Sequence, residues 1–327
     1  MTHLTRTLSN IALCCAAMAS AHAQASPVAE SVTIPRAPGE LVGTLLVPHA
    51  TVPVPVVLII SGSGATDRDG NGGGFAPAPL RQLAESLATR NIATLRYDKR
   101  SIGGSASAAI PEAQMTLGTF ADDAAAWIRY LESTHRFSRV IVAGHSEGAL
   151  LGLLAMQQVP AAGYISVEGM ARPLDQVLHD QLAAQLPAPM LAQTDSIFAR
   201  LRRGETVDSL VRSLPPAVGA ALFRPSVQPF LVSEFKHAGQ VEITHLAAPC
   251  LIVQGTRDLQ IAPSEADLLH RANPRCTVAL IPDMNHMLKQ TTATDLAGQL
   301  STYRAPDAPL AAGLVDAVAK FVLASSH

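Results

Sequence analysis

The run Gly144-His145-Ser146-Glu147-Gly148 sets a serine between two glycines. A serine hydroxyl becomes a nucleophile when a base takes its proton and an acid orients that base. The five-residue pattern recurs by chance in proteins, so its setting carries the weight. It follows the apolar run Val140-Ile141-Val142-Ala143 and precedes a small, apolar stretch over 148–156 that reads as helix. A strand, a tight turn and a helix in that order lift the turn's side chain clear of a sheet. They also place it at a helix N-terminus, whose positive end favours developing negative charge. Glycine is required at 144 and 148 because side chains there would collide where strand and helix converge. His145 is expected to point away from the nucleophile.

Two segments downstream supply partners. One apolar run leads into Gln254-Gly255-Thr256-Arg257-Asp258, and another into Pro282-Asp283-Met284-Asn285-His286. Both end just past the carboxyl ends of predicted strands, where open α/β sheets gather their sites. Asp258 as acid and His286 as base also satisfy one of the chain orders in which such triads occur, serine then acid then histidine. Glu168, after the strand at 162–167, is the rival acid, and Asp283 reads as a turn residue. The other histidines of the mature chain fall in predicted helices, loops or the segment before residue 249. The loop Ser61-Gly62-Ser63-Gly64 is flexible enough for its backbone to approach an oxyanion closely. The oxyanion donors are therefore expected to be the N–H groups of Ser63, with Gly64 as the alternative, and of Glu147. No His-Glu-x-x-His or Cys-x-x-Cys spacing occurs, so neither a metal nor any other cofactor is expected.

The elements that must position these residues alternate short apolar runs with longer amphipathic ones, the rhythm of βαβ units. Strands are predicted at 31–35, 41–47, 54–60, 92–97, 140–143, 162–167, 250–253 and 277–281. Helices are predicted at 79–90, 120–131, 148–156, 263–272 and 314–324. The first two strands form an antiparallel opening pair, and the rest form a mostly parallel central sheet flanked by helices. Residues 171–248 break the rhythm and are too many for a structureless loop. They read as a helical cap inserted between the sixth and seventh strands, dividing a core of 24–170 and 249–327. Phe198, Phe223, Phe230 and Phe235 of this cap are candidates for lining a substrate pocket.

The chain resembles the α/β-hydrolase superfamily, and more narrowly bacterial secreted esterases of its serine-aminopeptidase and dienelactone-hydrolase-like branch. The resemblance rests on Ser61-Gly62-Ser63-Gly64 with Asp67-Arg68-Asp69-Gly70, and on Arg96-Tyr97-Asp98-Lys99-Arg100 with Gly103-Gly104-Ser105. It continues through the Ser146 motif, Gln254–Gln260 and Asn285-His286. It implies the α/β-hydrolase fold, a Ser146–Asp258–His286 triad and cofactor-free hydrolysis of carboxylic esters. Ala65-Thr66 stands where relatives commonly have Pro-Gln, and Ser101 stands where glycine is usual after the basic pair.

Composition narrows the partners. The chain has 327 residues, is 48% hydrophobic and carries a formal net charge of −2, which disfavours a nucleic-acid partner because phosphate neutralisation needs clustered Lys and Arg. Residues 1–10 carry Arg6 and no acid, 11–20 are apolar, and Ala21-His22-Ala23 precedes Gln24. This is expected to be a signal peptide over 1–23 that directs a secreted or periplasmic protein. Leu13 before Cys14 is poor for a lipid attachment site, so no stable membrane anchor is expected. Cys250 and Cys276 remain in the mature chain, and at the starts of neighbouring parallel strands they are expected to be buried free thiols. The expected partner is a small-molecule ester of short or medium chain length. The competing readings are a serine peptidase or amidase on the same scaffold and a binding protein of this fold that has lost catalysis.

Overall fold

A strand covered on both faces is buried along its whole length and mostly apolar, and five runs in this chain meet that demand. In the computed structural model, which describes residues 26–207, 211 and 214–324, these runs form the buried centre of one eight-stranded sheet. The predicted signal peptide lies outside the described residues. Strands β1 (Val28–Arg36) and β2 (Gly39–Val47) are antiparallel to each other, and β2 runs antiparallel to its other neighbour, β4 (Ala93–Tyr97). The parallel remainder comprises β3 (Val56–Ile60), β4, β5 (Val140–His145), β6 (Gly163–Val167), β7 (Cys250–Gly255) and β8 (Thr277–Ile281). The spatial order is β1-β2-β4-β3-β5-β6-β7-β8.

Side chains alternate across the sheet and build two cores. Leu58, Leu95, Val142 and Ile252 pack with Trp127 and Leu150, whereas Val57, Ile59, Ile141 and Val253 pack with Leu83 and Val322. Helices α1 (Pro79–Ala88), α2 (Leu117–Ser133) and α3 (Glu147–Gln158) supply part of this cover. Among the described residues five α-helices follow between β6 and β7: α4 (Leu174–Ala183), α5 (Ala188–Arg202), α6 (Pro216–Leu222), α7 (Gln228–Glu234) and α8 (Gly239–Glu242). They enclose an apolar cluster of their own around Phe198, Phe223 and Phe235. Polar contacts fasten this insertion to the body. Leu117 N–H donates to Ser233 Oγ at 2.8 Å, Arg224 Nε donates to Glu112 at 3.0 Å, and Arg172 Nε donates to Glu265 at 2.5 Å. The chain closes with α9 (Ser264–Ala272), α10 (Leu296–Tyr303) and α11 (Leu314–Ala324). Among the described residues no helix is long and apolar enough to cross a membrane.

Two features depart from expectation. Helix α10 was not predicted. The second correction concerns the cysteines, expected as free thiols: Cys250 and Cys276 form a disulfide, with Cα atoms 4.5 Å apart. Two residues within neighbouring parallel strands rarely offer disulfide geometry. Cys276 instead lies just before β8, in a turn where its N–H donates to the Asn273 carbonyl, and this position brings the two sulfurs together.

The disulfide closes a loop with a sequence separation of 26. The variant Cys250→Ser/Cys276→Ser is expected to lose about 2–4 kcal/mol of stability. Urea unfolding of the two proteins, oxidised and reduced, measures this; coincident midpoints would contradict it.

Candidate active site

Ser146 has φ 55° and ψ −125°, a conformation a non-glycine residue holds only when its surroundings enforce it. The enforcement is backbone packing. A Cβ on Gly144 would lie 2.0 Å from the Gly148 oxygen, and one on Gly148 would lie 2.4 Å from the Ile60 oxygen. The turn is held from the other side by the Ser146 N–H, which donates to the Val167 carbonyl at 2.9 Å. Gly62 closes against it: a Cβ there would meet Ser146 Cβ at 3.2 Å. The serine is thus presented between β5, α3 and the loop after β3.

The candidate acid and base hang from the ends of β7 and β8. His286 Nδ1 donates to Asp258 Oδ2 at 2.7 Å, which leaves Nε2 as the proton acceptor. The other Asp258 oxygen accepts the N–H groups of Gln260 at 2.7 Å and Ile261 at 2.9 Å. Burial opposes ionisation of Asp258, but the histidine and hydrogen bonds from Glu168, His286 and Ile261 outweigh it and hold its pKa down at about 2. The His286 loop is set by Asn285, which is fully buried and whose Oδ1 accepts the N–H groups of Met287 and Lys289, both at 3.1 Å. Ser146, His286 and Asp258 line one cleft. No hydrogen bond joins the Ser146 hydroxyl to the His286 ring among the described residues.

Glu168, the rival acid, does not touch the histidine in any hydrogen bond. It is fully buried, and burial, together with the Asp258 charge, raises its pKa well above the carboxylate range. Its two oxygens accept from Gly255 N–H at 3.0 Å and from Gln254 Nε2 at 2.5 Å. His145 lines the same cleft. Its ring centroid lies 4.8 Å from that of His286, and its Nε2–H donates to the His286 carbonyl at 2.9 Å. Burial and the neighbouring histidine drive its pKa down to about 3, so the ring is neutral and acts as a fixed strut. Only its place beside the serine hinted at this in the sequence.

Ser63 lines the same cleft and its N–H makes no hydrogen bond among the described residues. Glu147 is the first residue of α3, where the N–H has no intrahelical partner. The loop that carries Ser63 is fastened through Asp67, which accepts the N–H groups of Asp69 and Asn71, both at 2.9 Å, and through Arg68, which binds Asp98 at 2.6 Å. The cleft encloses about 950 Å³. None of the four candidate phenylalanines lines it. Phe198, Phe223 and Phe235 form the core of the inserted helices, and Phe230 packs edge-on against Phe120, with centroids 5.8 Å apart. An insertion of this size needs an interior of its own, and its large aromatic side chains are used there. The apolar wall comes instead from Phe75, Leu259, Met287, Leu296, Leu300 and Tyr303. Two of these belong to the loop after β3 and the Asp258 loop, and the rest to α10 and the chain leading to it.

Residues 56–298 match the alpha/beta hydrolase family. Esterase EstD of Thermotoga maritima is 27% identical over 217 residues, covering 64% of this chain and 48% of that protein. The chain thus spans about half the length of this curated relative. Among solved structures, Est1E from Butyrivibrio proteoclasticus superposes with a TM-score of 0.56 at 18% identity, covering 90% of this chain and 98% of its own. The proline iminopeptidase of Mycobacterium smegmatis superposes with a TM-score of 0.57 at 18% identity, with the same coverage of 90% and 98%. At these identities the two structures share the fold.

Fluorophosphonate labelling of Ser146 reports how strongly the hydroxyl is activated. Asp258→Asn is expected to slow labelling by about 10⁴-fold, whereas Glu168→Gln should slow it by less than about tenfold. A reversal of that order would make Glu168 the orienting acid.

Proposed function

The chain belongs to the alpha/beta hydrolase family, and we propose that within it the protein is a serine carboxylesterase acting through an acyl-enzyme on Ser146. The observation that carries this reading is a serine held at φ 55° in the same cleft as a histidine bonded to a buried carboxylate. His286 Nε2 takes the Ser146 proton as the hydroxyl attacks the ester carbonyl. Asp258 holds the imidazole in the required tautomer and stabilises its charged form. The N–H groups of Ser63 and Glu147 receive the tetrahedral oxyanion. His286 then protonates the departing alcohol, and water repeats the cycle to release the acid.

The cleft supports neutral esters of short to medium chain length. Its volume of about 950 Å³ is at the upper end of small-molecule sites, and its wall from Phe75 to Tyr303 suits an aliphatic or aryl arm. The lining also includes Arg172, Asp180, Gln181 and Gln185. Arg172 is the cation there, and its guanidinium is taken by Glu265 at 2.5 Å and Asp180 at 2.8 Å. A substrate carboxylate would have to break that pairing. The similarity to Esterase EstD supports ester over amide hydrolysis. A secreted or periplasmic location is part of the same reading, supported by the Cys250–Cys276 disulfide, which persists in oxidising compartments.

Ser146→Ala is expected to lower kcat on p-nitrophenyl esters by about four to six orders of magnitude; near-normal turnover would sink the assignment. A panel of acyl chain lengths run beside aminoacyl anilides and a monosuccinate ester should show turnover of the neutral esters first. Faster anilide cleavage would replace the esterase reading with a peptidase one.

A further inference from the structure

The Gly62 carbonyl and the Ser63 N–H belong to one peptide plane, and a trans peptide points them in opposite directions. Lys99 Nζ donates to that carbonyl oxygen at 2.5 Å. Anchoring the oxygen aims the N–H. A lysine donor on the oxygen side also polarises the peptide and makes the N–H a stronger donor. The same ammonium lies 3.8 Å from Glu147 Oε1, and the backbone N–H of Glu147 is the second arm of the hole. One cation therefore contacts the carbonyl of the peptide that carries the Ser63 N–H and the side chain of the residue that carries the other N–H.

Lysine is almost never fully buried unless it is paired, yet Lys99 is only 4% exposed. It sits behind the serine turn with its Nζ 5.7 Å from the Phe120 ring centroid. A third group joins from the inserted helices. Glu234, the last residue of α7, is fully buried, and neither of its oxygens has a hydrogen-bond partner. Burial raises the pKa of both Glu147 and Glu234, and each acts electrostatically on Lys99. A charged pair could be replaced by apolar side chains with no loss of stability, so stability alone does not account for a lysine here. The placement of its ammonium does.

We propose that Lys99 is a positioning residue that holds the two arms of the oxyanion hole in register, through the Gly62 carbonyl and the Glu147 side chain. It touches no substrate atom. The proposal rests on the serine-esterase reading.

The test compares Lys99→Met, Lys99→Arg and Ser146→Ala by kcat and KM on a p-nitrophenyl ester. It adds the inhibition constant of an arylboronic acid, whose tetrahedral adduct on Ser146 occupies the hole, and the melting temperature. Lys99→Met is expected to lower kcat by about 10²-fold with KM nearly unchanged, and boronate affinity should fall in parallel with kcat. Lys99→Arg should recover part of both. If Lys99→Met does not fold, Lys99→Met/Glu147→Gln removes both charges together and is read in the same way. A folded variant with unaltered kcat, or one whose boronate affinity stays while kcat falls, would overturn the role of Lys99. Ser146→Ala separates the two readings: turnover without the serine removes the esterase mechanism, whereas an inactive Ser146→Ala beside a fully active Lys99→Met removes only this proposal.

Discussion

Three backbones meet at Ser146 with no room for a side chain between them. The contacts of 2.0 Å and 2.4 Å that a Cβ at Gly144 or Gly148 would make mean that β5, α3 and the end of β3 can come together only through glycine. Much else follows from that approach. It forces the serine into a left-handed conformation, starts α3 directly after it and brings Gly62 against its Cβ. The loop after β3 is thereby delivered to Ser146 as a consequence of packing. The central strands must in turn be apolar on both faces, since helices press on each.

The acid side of the site is organised by burial. Asp258, Glu168 and His286 bring one polar atom each within 4.8 Å of one another, in a region where uncompensated charge is expensive. The conflict is resolved by opposite shifts: burial and the Asp258 charge raise the pKa of Glu168, whereas His286 and hydrogen bonds lower that of Asp258. His145 stays neutral for the same reason and can only support. Two carboxyls and two histidines thus take four separate roles because each meets a different mixture of desolvation and partners.

The strands and the nucleophile turn were legible because one constraint fixes each. A buried strand must be an apolar run, and Val56–Ile60 can be little else; the β8 bounds emerged unchanged. Asp258 and His286 were legible from their place at strand ends. The pocket was not. Phe198 and Phe223 carry the same apolar character whether they face a substrate or one another, and only the packing of the inserted helices decides between the two. Helix α10 escaped notice because Leu296 and Leu300 line an open cleft instead of a core stripe, and its N-cap, Asp295, is a residue that also suits a turn. Lys99 was visible only as part of a basic pair. The departure at Ser101 has a direct meaning in the structure: its φ is 68°, the region in which the glycine of its relatives costs least.

The disulfide has a geometric consequence apart from stability. β8 is the last strand of the sheet and has a single neighbour, β7. Edge strands of this kind are free to slide in steps of two residues while keeping the same faces inward. Each such step is about 6.6 Å, more than enough to pull His286 away from Asp258. Cys250 and Cys276 sit at one end of this strand pair and the catalytic candidates at the other. The covalent link acts as an alignment pin, and the ladder from Leu251↔Thr277 to Gly255↔Ile281 is the ruler that carries its setting across the sheet.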